Sequence, residues 1–249
     1  MTVTYFISGA SRGIGLSLAK QLSKRADTVV IGSVRDPAAA TELTSLASTN
    51  SNVHVVTLDV TSKKSALAAA DQVRRITDGV DVLIVNAGFS DSYASFADVS
   101  EETLEQHWRI NVLGAVFTYQ AFYPLLQARP TKKIVFTSSV AGSIGSILPV
   151  SVSAYGHSKA ALNYTARAIS VELKDQGFTV IAYNPGPVLS DMGKYGKEKI
   201  VGLAPQLKEF FDSSLTPDEA AAAQINVIDN LTAEDNGKFK DTKEGEVAW

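Results

Sequence analysis

Cysteine is absent from all 249 residues, which excludes disulfides, thiolate metal centres and cysteine nucleophiles and fits a reducing compartment. Histidine is almost absent as well. His54, His107 and His157 are scattered, none has a matched metal partner, and surface or packing roles are expected rather than a metal site. A net charge of only −3 supplies no broad basic field, so neither nucleic acid nor an anionic membrane is an expected partner. No apolar run approaches the roughly 20 residues of a spanning helix. The start, Met1-Thr-Val-Thr-Tyr-Phe-Ile-Ser-Gly9, carries no basic leader before its apolar run. A cytoplasmic protein acting on a small molecule is therefore expected. Asn163-Tyr-Thr and Asn230-Leu-Thr match the glycosylation pattern, but without a secretory signal they read as chance matches.

What is present is an alternation. Short β-branched runs at 3–8, 28–33, 53–58, 82–85, 133–137 and 179–183 are interleaved with helical patterns at 13–24, 62–77, 101–127, 154–174 and 217–230. Runs this apolar suit strands covered on both faces, with right-handed helical crossovers between parallel neighbours. The expected fold class is therefore α/β, a doubly wound parallel sheet in one domain over residues 1–249. Thr61 or Ser62 can cap the helix at 62–77; Thr216 followed by Pro217, Asp218 and Glu219 can cap the last one. Only residues 187–215 break the rhythm. That stretch mixes glycine, lysine, proline and aromatics, and is expected to be a substrate-covering loop or short-helix insertion.

The first strand runs into Ser8-Gly9-Ala10-Ser11-Arg12-Gly13-Ile14-Gly15, and helical periodicity begins at once. Glycines there let the backbone turn tightly against a diphosphate, whose charge is favoured by free amides at a helix N-terminus. After the second strand comes Ser33-Val34-Arg35-Asp36-Pro37. An acid at this point takes the 2′-hydroxyl of NAD, whereas arginine accommodates the 2′-phosphate of NADP. Arg35 favours NADP(H), with Arg12 as a second cation; Asp36 leaves NAD(H) open, although the strand-end position itself reads as Ser33. Further on, Tyr155-Gly-His-Ser-Lys159 places a phenol and an amine four residues apart, on one helical face. A cation beside a phenol favours phenolate, so the lysine is expected to lower the tyrosine pKa and make it a usable acid.

The spacing Gly-x-x-x-Gly-x-Gly, then Asn86-Ala87-Gly88, Asn111, Ser139, Tyr155, Lys159 and Pro185-Gly186, in that order, resembles the short-chain dehydrogenase/reductase family along essentially the whole chain. Ser8 replaces the family's threonine and Val85 the first asparagine of its Asn-Asn-Ala-Gly motif. The resemblance implies a Rossmann-type fold and a set of roles. Tyr155 protonates a carbonyl oxygen, Ser139 orients it, Lys159 holds ribose hydroxyls and tunes the tyrosine, and Asn111 positions a proton-relay water. Ser139 is preferred to Ser138 because the family's serine is usually the second of such a pair. The cofactor would be held by Gly9, Ser11, Arg12, Gly13, Ile14, Gly15, Arg35, Asp59, Val60, Asn86, Ala87, Gly88, Tyr155, Lys159, Pro185, Gly186, Val188 and Ser190.

Gly237-Lys-Phe239 followed by Trp249, together with Val34-Arg35-Asp36-Pro37, resembles the carbonyl-reductase branch that includes C-factor-like, sniffer-like and norsolorinic acid ketoreductase-like proteins. That branch implies NADPH-dependent reduction of a ketone or aldehyde. Met192, Tyr195, Leu203, Phe210 and Phe211 are candidate apolar lining, facing Ile144, Ile147 and Leu148, with Phe89 and Tyr93 nearby. The helices at 101–127 and 154–174 resemble the family's dimer-forming pair, implying a homodimer or a homotetramer. An NAD-linked alcohol dehydrogenase or epimerase, and a non-catalytic NADP-binding sensor, stay open as alternatives.

Overall fold

Valine- and isoleucine-rich runs with no polar face must be covered on both sides, and they are. The computed structural model describes residues 2–242 and 245–249. In it β1 (Val3–Ile7), β2 (Thr28–Val34), β3 (Val53–Thr57), β4 (Val82–Val85), β5 (Lys133–Thr137), β6 (Thr179–Asn184) and β7 (Phe239–Asp241) form a sheet in the order β3-β2-β1-β4-β5-β6-β7. Every neighbouring pair in it is parallel. The helices are α1 (Gly13–Leu22), α2 (Thr41–Thr49), α3 (Lys63–Arg74), α4 (Glu101–Trp108), α5 (Gly114–Gln127), α6 (Ser153–Glu172), α7 (Asp191–Leu203), α8 (Lys208–Asp212) and α9 (Pro217–Asn230).

Two cores result, one on each face of the sheet. Leu16, Leu18 and Leu22 of α1, Leu43 of α2 and Ile225 and Ile228 of α9 pack on one side. Ala66, Ala69 and Val73 of α3, Phe122 and Leu125 of α5 and Leu162 and Ile169 of α6 pack on the other, where Phe6 and Phe122 approach to 3.9 Å between ring centroids. This is a single-domain Rossmann-type α/β fold, doubly wound as its alternation requires. The winding reverses between β1 and β4, so a crevice opens beyond their carboxyl ends. Ser8-Gly9 and Asn86-Ala87-Gly88 emerge there.

Several elements differ from their sequence-based expectation for identifiable reasons. α2 is rich in serine and threonine and buries only Leu43, which leaves almost no apolar period to detect. β7 is three residues long with a lysine in its middle. The pattern at 101–127 is one helical run broken by a π turn, Arg109–Leu113, between α4 and α5. Residues 187–215 become α7, a short 3₁₀ turn and α8, closed at the base by a Val188–Leu215 bridge. The caps at Ser62 and Thr216 form, the latter as a full capping box with Glu219.

Candidate active site

The glycine turn is built by close approaches that only glycine permits. Gly9 and Gly13 adopt φ of +71° and +57°, a region that L side chains avoid. A methyl on Gly9 would lie 2.9 Å from the Ala87 Cα, and one on Gly15 would collide with the Gly9 carbonyl. Ser8 ties the turn to β4. Its buried hydroxyl accepts from the amides of Asn86 (2.9 Å) and Ala87 (3.1 Å), while the Asn86 side chain donates to the carbonyls of Ser8 and Gly9. The serine thus supplies the hydroxyl that the family's threonine would. No side chain caps the N-terminus of α1, so its first amides face the crevice, as an anion site demands.

Around the rim, β2 ends at Val34 and not at Ser33, which is buried inside the strand. Arg35 follows at once and is exposed, with no ion-pair partner among the described residues. Asp36 is turned back on its own chain, accepting from the Ala38 amide at 2.9 Å. Arg12, read as a second cation for a 2′-phosphate, instead pairs with Asp191 at 3.1 Å, with both side chains exposed. Asp59 accepts from the amide and hydroxyl of Thr61, which fixes the turn after β3, and Val60 packs where a methyl on Gly114 would fall.

The serine, tyrosine and lysine meet because a turn is inlaid on α6. Ser139 opens the 3₁₀ turn Val140–Gly142, its hydroxyl accepting from the Ala141 amide at 3.2 Å. A methyl on Gly142 would collide with the Lys159 backbone, and one on Gly156 would lie 2.8 Å from the Ala141 carbonyl oxygen. Asn163, one turn beyond Lys159, clamps both ends: Ser138 donates to it at 2.5 Å, and it donates to the Gly142 carbonyl at 3.2 Å. Ser138 is therefore structural, and the Ser139 hydroxyl is left on the Tyr155 side, where it favours the phenolate. Lys159 Nζ donates to the Thr137 carbonyl at 2.8 Å and lies 5.8 Å from the Tyr155 ring centroid. Asn111, in the π turn, is buried; its side-chain amide bonds both main-chain groups of Phe89 (2.8 and 2.9 Å) and the Ser158 hydroxyl (2.9 Å). Lys159 Nζ and Asn111 Oδ1 converge over Gly88, at 3.5 and 3.6 Å from where its Cβ would be.

The electrostatics correct one expectation. The net shift of the Tyr155 phenol is upward, not downward. Burial pushes the Tyr155 phenol up to about 12, opposed by the Ser139 hydroxyl and reinforced by Tyr93. Burial also brings the Lys159 amine down to about 8. Desolvation disfavours the charged form of each, so in the polypeptide by itself the pair is poised with the phenol neutral and the amine close to its own titration.

Opposite, Asn184 joins the Pro185-Gly186 turn to the serine turn, its Oδ1 accepting from the amides of Val140 (3.1 Å) and Gly186 (3.3 Å). Gly186 has φ of +70° and open space on its side-chain face. Ser190 caps α7 and stands over Gly13. Of the candidate apolar lining, Phe211 is buried, whereas Met192, Tyr195, Leu203 and Phe210 stay exposed; the Tyr93 hydroxyl abuts Gly196 of α7. His107 is a packing residue, with Nδ1 2.8 Å from the Thr103 carbonyl, and His157 sits between Phe96 and Trp108. Sequence reading missed Asn163, Ser158, Thr137, Gly142 and Gln224, whose amide donates to the Thr137 hydroxyl at 3.3 Å. Asn163 and Ser158 lie in patterns that assign them no such role and the others in none; their burial as polar or small residues reveals them. Among the described residues no group of three metal-ligating side chains occurs, and no helix is long and apolar enough to cross a membrane.

Comparison with known proteins gives a consistent result. The family model described as short chain dehydrogenase matches residues 4–200. The chain is similar to an oxidoreductase of Schizosaccharomyces pombe, 47% identical over 236 residues that cover 94% of this chain and 93% of the relative. Among solved structures it is similar to the NADPH-bound carbonyl reductase from chicken fatty liver, with a TM-score of 0.87, 29% identity and full coverage of both chains. The carbonyl reductase Sniffer of Drosophila melanogaster gives a TM-score of 0.87 at 25% identity, again over both full chains.

The Ser8 hydroxyl satisfies two amides at once, so Ser8→Ala strands both. An unfolding titration in urea is expected to show a loss of about 1–3 kcal/mol for each stranded donor, while Ser8→Thr stays within about 1 kcal/mol of the wild type.

Proposed function

The chain belongs to the short-chain dehydrogenase family, and we propose that it is an NADPH-dependent reductase of ketones or aldehydes in which Tyr155 delivers the proton. The observation that carries this reading is the placement of Lys159 Nζ, held by the Thr137 carbonyl, 5.8 Å from the Tyr155 ring centroid, at the crevice where β1 and β4 diverge.

The residues present fit a nicotinamide dinucleotide. The turn from Gly9 through Ser11, Arg12, Gly13, Ile14 and Gly15 offers a diphosphate the open N-terminus of α1. Arg35 answers a 2′-phosphate, and the engagement of Asp36 in its own turn supports NADP(H) over NAD(H). Asp59 and Val60 would border the adenine, and Asn86, Ala87 and Gly88 the central sugar. Pro185, Gly186, Val188 and Ser190 would border the nicotinamide end, with Lys159 on its ribose. When bound, the cofactor supplies the hydride.

The protein's own part is proton management and orientation. Ser139 holds the substrate oxygen next to the Tyr155 hydroxyl, which gives up its proton as that oxygen gains charge. A protonated Lys159 lowers the cost of the phenolate left behind. Because the Asn111 side-chain amide is engaged with Phe89 and Ser158, a relay water would hang from its main-chain carbonyl in the π turn. Residues 187–215 would cover the substrate. The stripe His157, Tyr164 and Val171 on α6, exposed with Trp108 and Phe96, supports a homodimer, or a homotetramer built on it, and the cytosol is the proposed location.

Three measurements test this. On a panel of carbonyl compounds, Tyr155→Phe is expected to lose about 100- to 10,000-fold in kcat while NADPH still binds; an unchanged rate would leave a non-catalytic NADP sensor as the better reading. Arg35→Ala is expected to raise the NADPH dissociation constant by about 10- to 100-fold, as loss of a charged hydrogen bond does, with little change for NADH. The Lys159 value is depressed, so its charged form is present below about pH 8 and lost as pH rises through it. The reduction rate should therefore hold up to about pH 8 and fall above it, with no matching limb from Tyr155 before about pH 12.

A further inference from the structure

Between Ser139 and Tyr155 the chain makes a rim, residues 143–152, fixed at both ends. At the near end the Ser143 hydroxyl donates to the Ala248 carbonyl at 2.6 Å, and the Gly145 amide donates to the Trp249 carbonyl at 2.7 Å. The fit is close: a methyl on Gly145 would lie 3.1 Å from the Ala248 Cβ. At the far end the hydroxyls of Ser151 and Ser153 both donate to the Ala94 carbonyl, at 2.9 and 2.7 Å, next to Tyr93. Between these anchors Ile144 and Ile147 stand 81% and 80% exposed.

The near anchor is itself tied to the core. Val247 donates to the Phe239 carbonyl at 2.7 Å, Glu246 bridges Lys240, and the Trp249 ring lies 5.4 Å from that of Phe239. Phe239 is fully buried on the sheet edge. A rigid path therefore runs from β7 through the Trp249 ring to the loop that follows the catalytic serine. Gly237-Lys-Phe239 and Trp249, which carry no part of the proton chemistry, find their use in this path.

We infer that residues 247–249 are a specificity-determining buttress, which holds Ile144 and Ile147 as an apolar wall against the bulky hydrocarbon part of a carbonyl substrate. Two exposed isoleucines on a mobile loop would lose ordering entropy on every binding event; held from behind, they lose little. Trp249 is thus a positioning residue that acts through the rim and touches neither the reacting atoms nor the cofactor. The inference rests on the reductase reading above and adds the class of substrate selected.

The test compares wild type, Trp249→Ala, Trp249→Phe and Ser143→Ala at saturating NADPH. A bulky aryl ketone, 1-tetralone, is set against a small polar aldehyde, glyceraldehyde, and amide hydrogen exchange is followed over 143–149. Trp249→Ala is expected to raise KM for the ketone by about fivefold or more. Its kcat, its NADPH affinity and its use of the aldehyde should stay within about twofold, and Gly145 exchange should quicken by about tenfold. Trp249→Phe should restore the ketone KM, and Ser143→Ala should shift it in the same direction as Trp249→Ala. An unchanged ketone KM in both Trp249→Ala and Ser143→Ala overturns the proposal, as does an equal loss on both substrates together with weakened NADPH binding. If wild type reduces neither compound, the reductase reading fails; the buttress is then decided by exchange, upheld if the 143–149 amides loosen in Trp249→Ala and rejected if they do not.

Discussion

A lysine amine only 4% exposed, held by one hydrogen bond from Nζ to the Thr137 carbonyl, is the constraint around which the site is arranged. An isolated ammonium in an apolar interior is costly, and the usual response is a lowered pKa together with a polar partner. Both are present. The strand end that supplies the carbonyl is steadied from the opposite layer by Gln224 of α9, so helices on both faces of the sheet converge on this one contact. The same dryness that lowers the lysine raises the tyrosine. A neutral phenol that can donate, beside an amine whose charge is easily gained, suits an acid that must give up its proton only when a neighbouring oxygen becomes basic.

Close packing of backbone on backbone delivers the remaining groups. Gly142 and Gly156 let the serine turn lie directly on α6, and Asn163 holds it there through two hydrogen bonds. At the glycine turn the same device recurs, with Gly9 against Ala87 and Gly15 against the Gly9 carbonyl. Ser8 and Asn86 fasten the two strand ends that border the crevice. Ser139, Tyr155 and Lys159 are thus placed by backbone contacts and by Asn163, and positioning of this kind governs how much of an orientation effect the proposed reduction could realise. The π turn at Asn111 belongs to the same scheme. It breaks the regular helical register at the point where the side chain must reach the Phe89 backbone.

Much of this was legible in the residues. The parallel α/β architecture follows from apolar runs too uniform for a half-exposed sheet, and the tight turn into α1 follows from glycines placed between the first strand and first helix. Tyr155 and Lys159 share a face by helical geometry alone. The elements that escaped are those whose signal is not periodic: α2, with one buried leucine among serines and threonines, and β7, too short to alternate. The seam between α4 and α5 escaped because a π turn keeps the composition of a helix.

The sequence by itself determined the layered fold, the order of the motifs and the chemical types at the site, because these depend on local periodicity and on which atoms a residue carries. Tertiary structure decided what those atoms face. It paired Arg12 with Asp191 while leaving Arg35 free of ion pairs among the described residues, and it turned Asp36 back into its own turn. It also brought Trp249 behind the rim at 143–149. It reversed the expected direction of the Tyr155 shift as well, since desolvation is a property of the assembled environment and is the largest influence on the phenol.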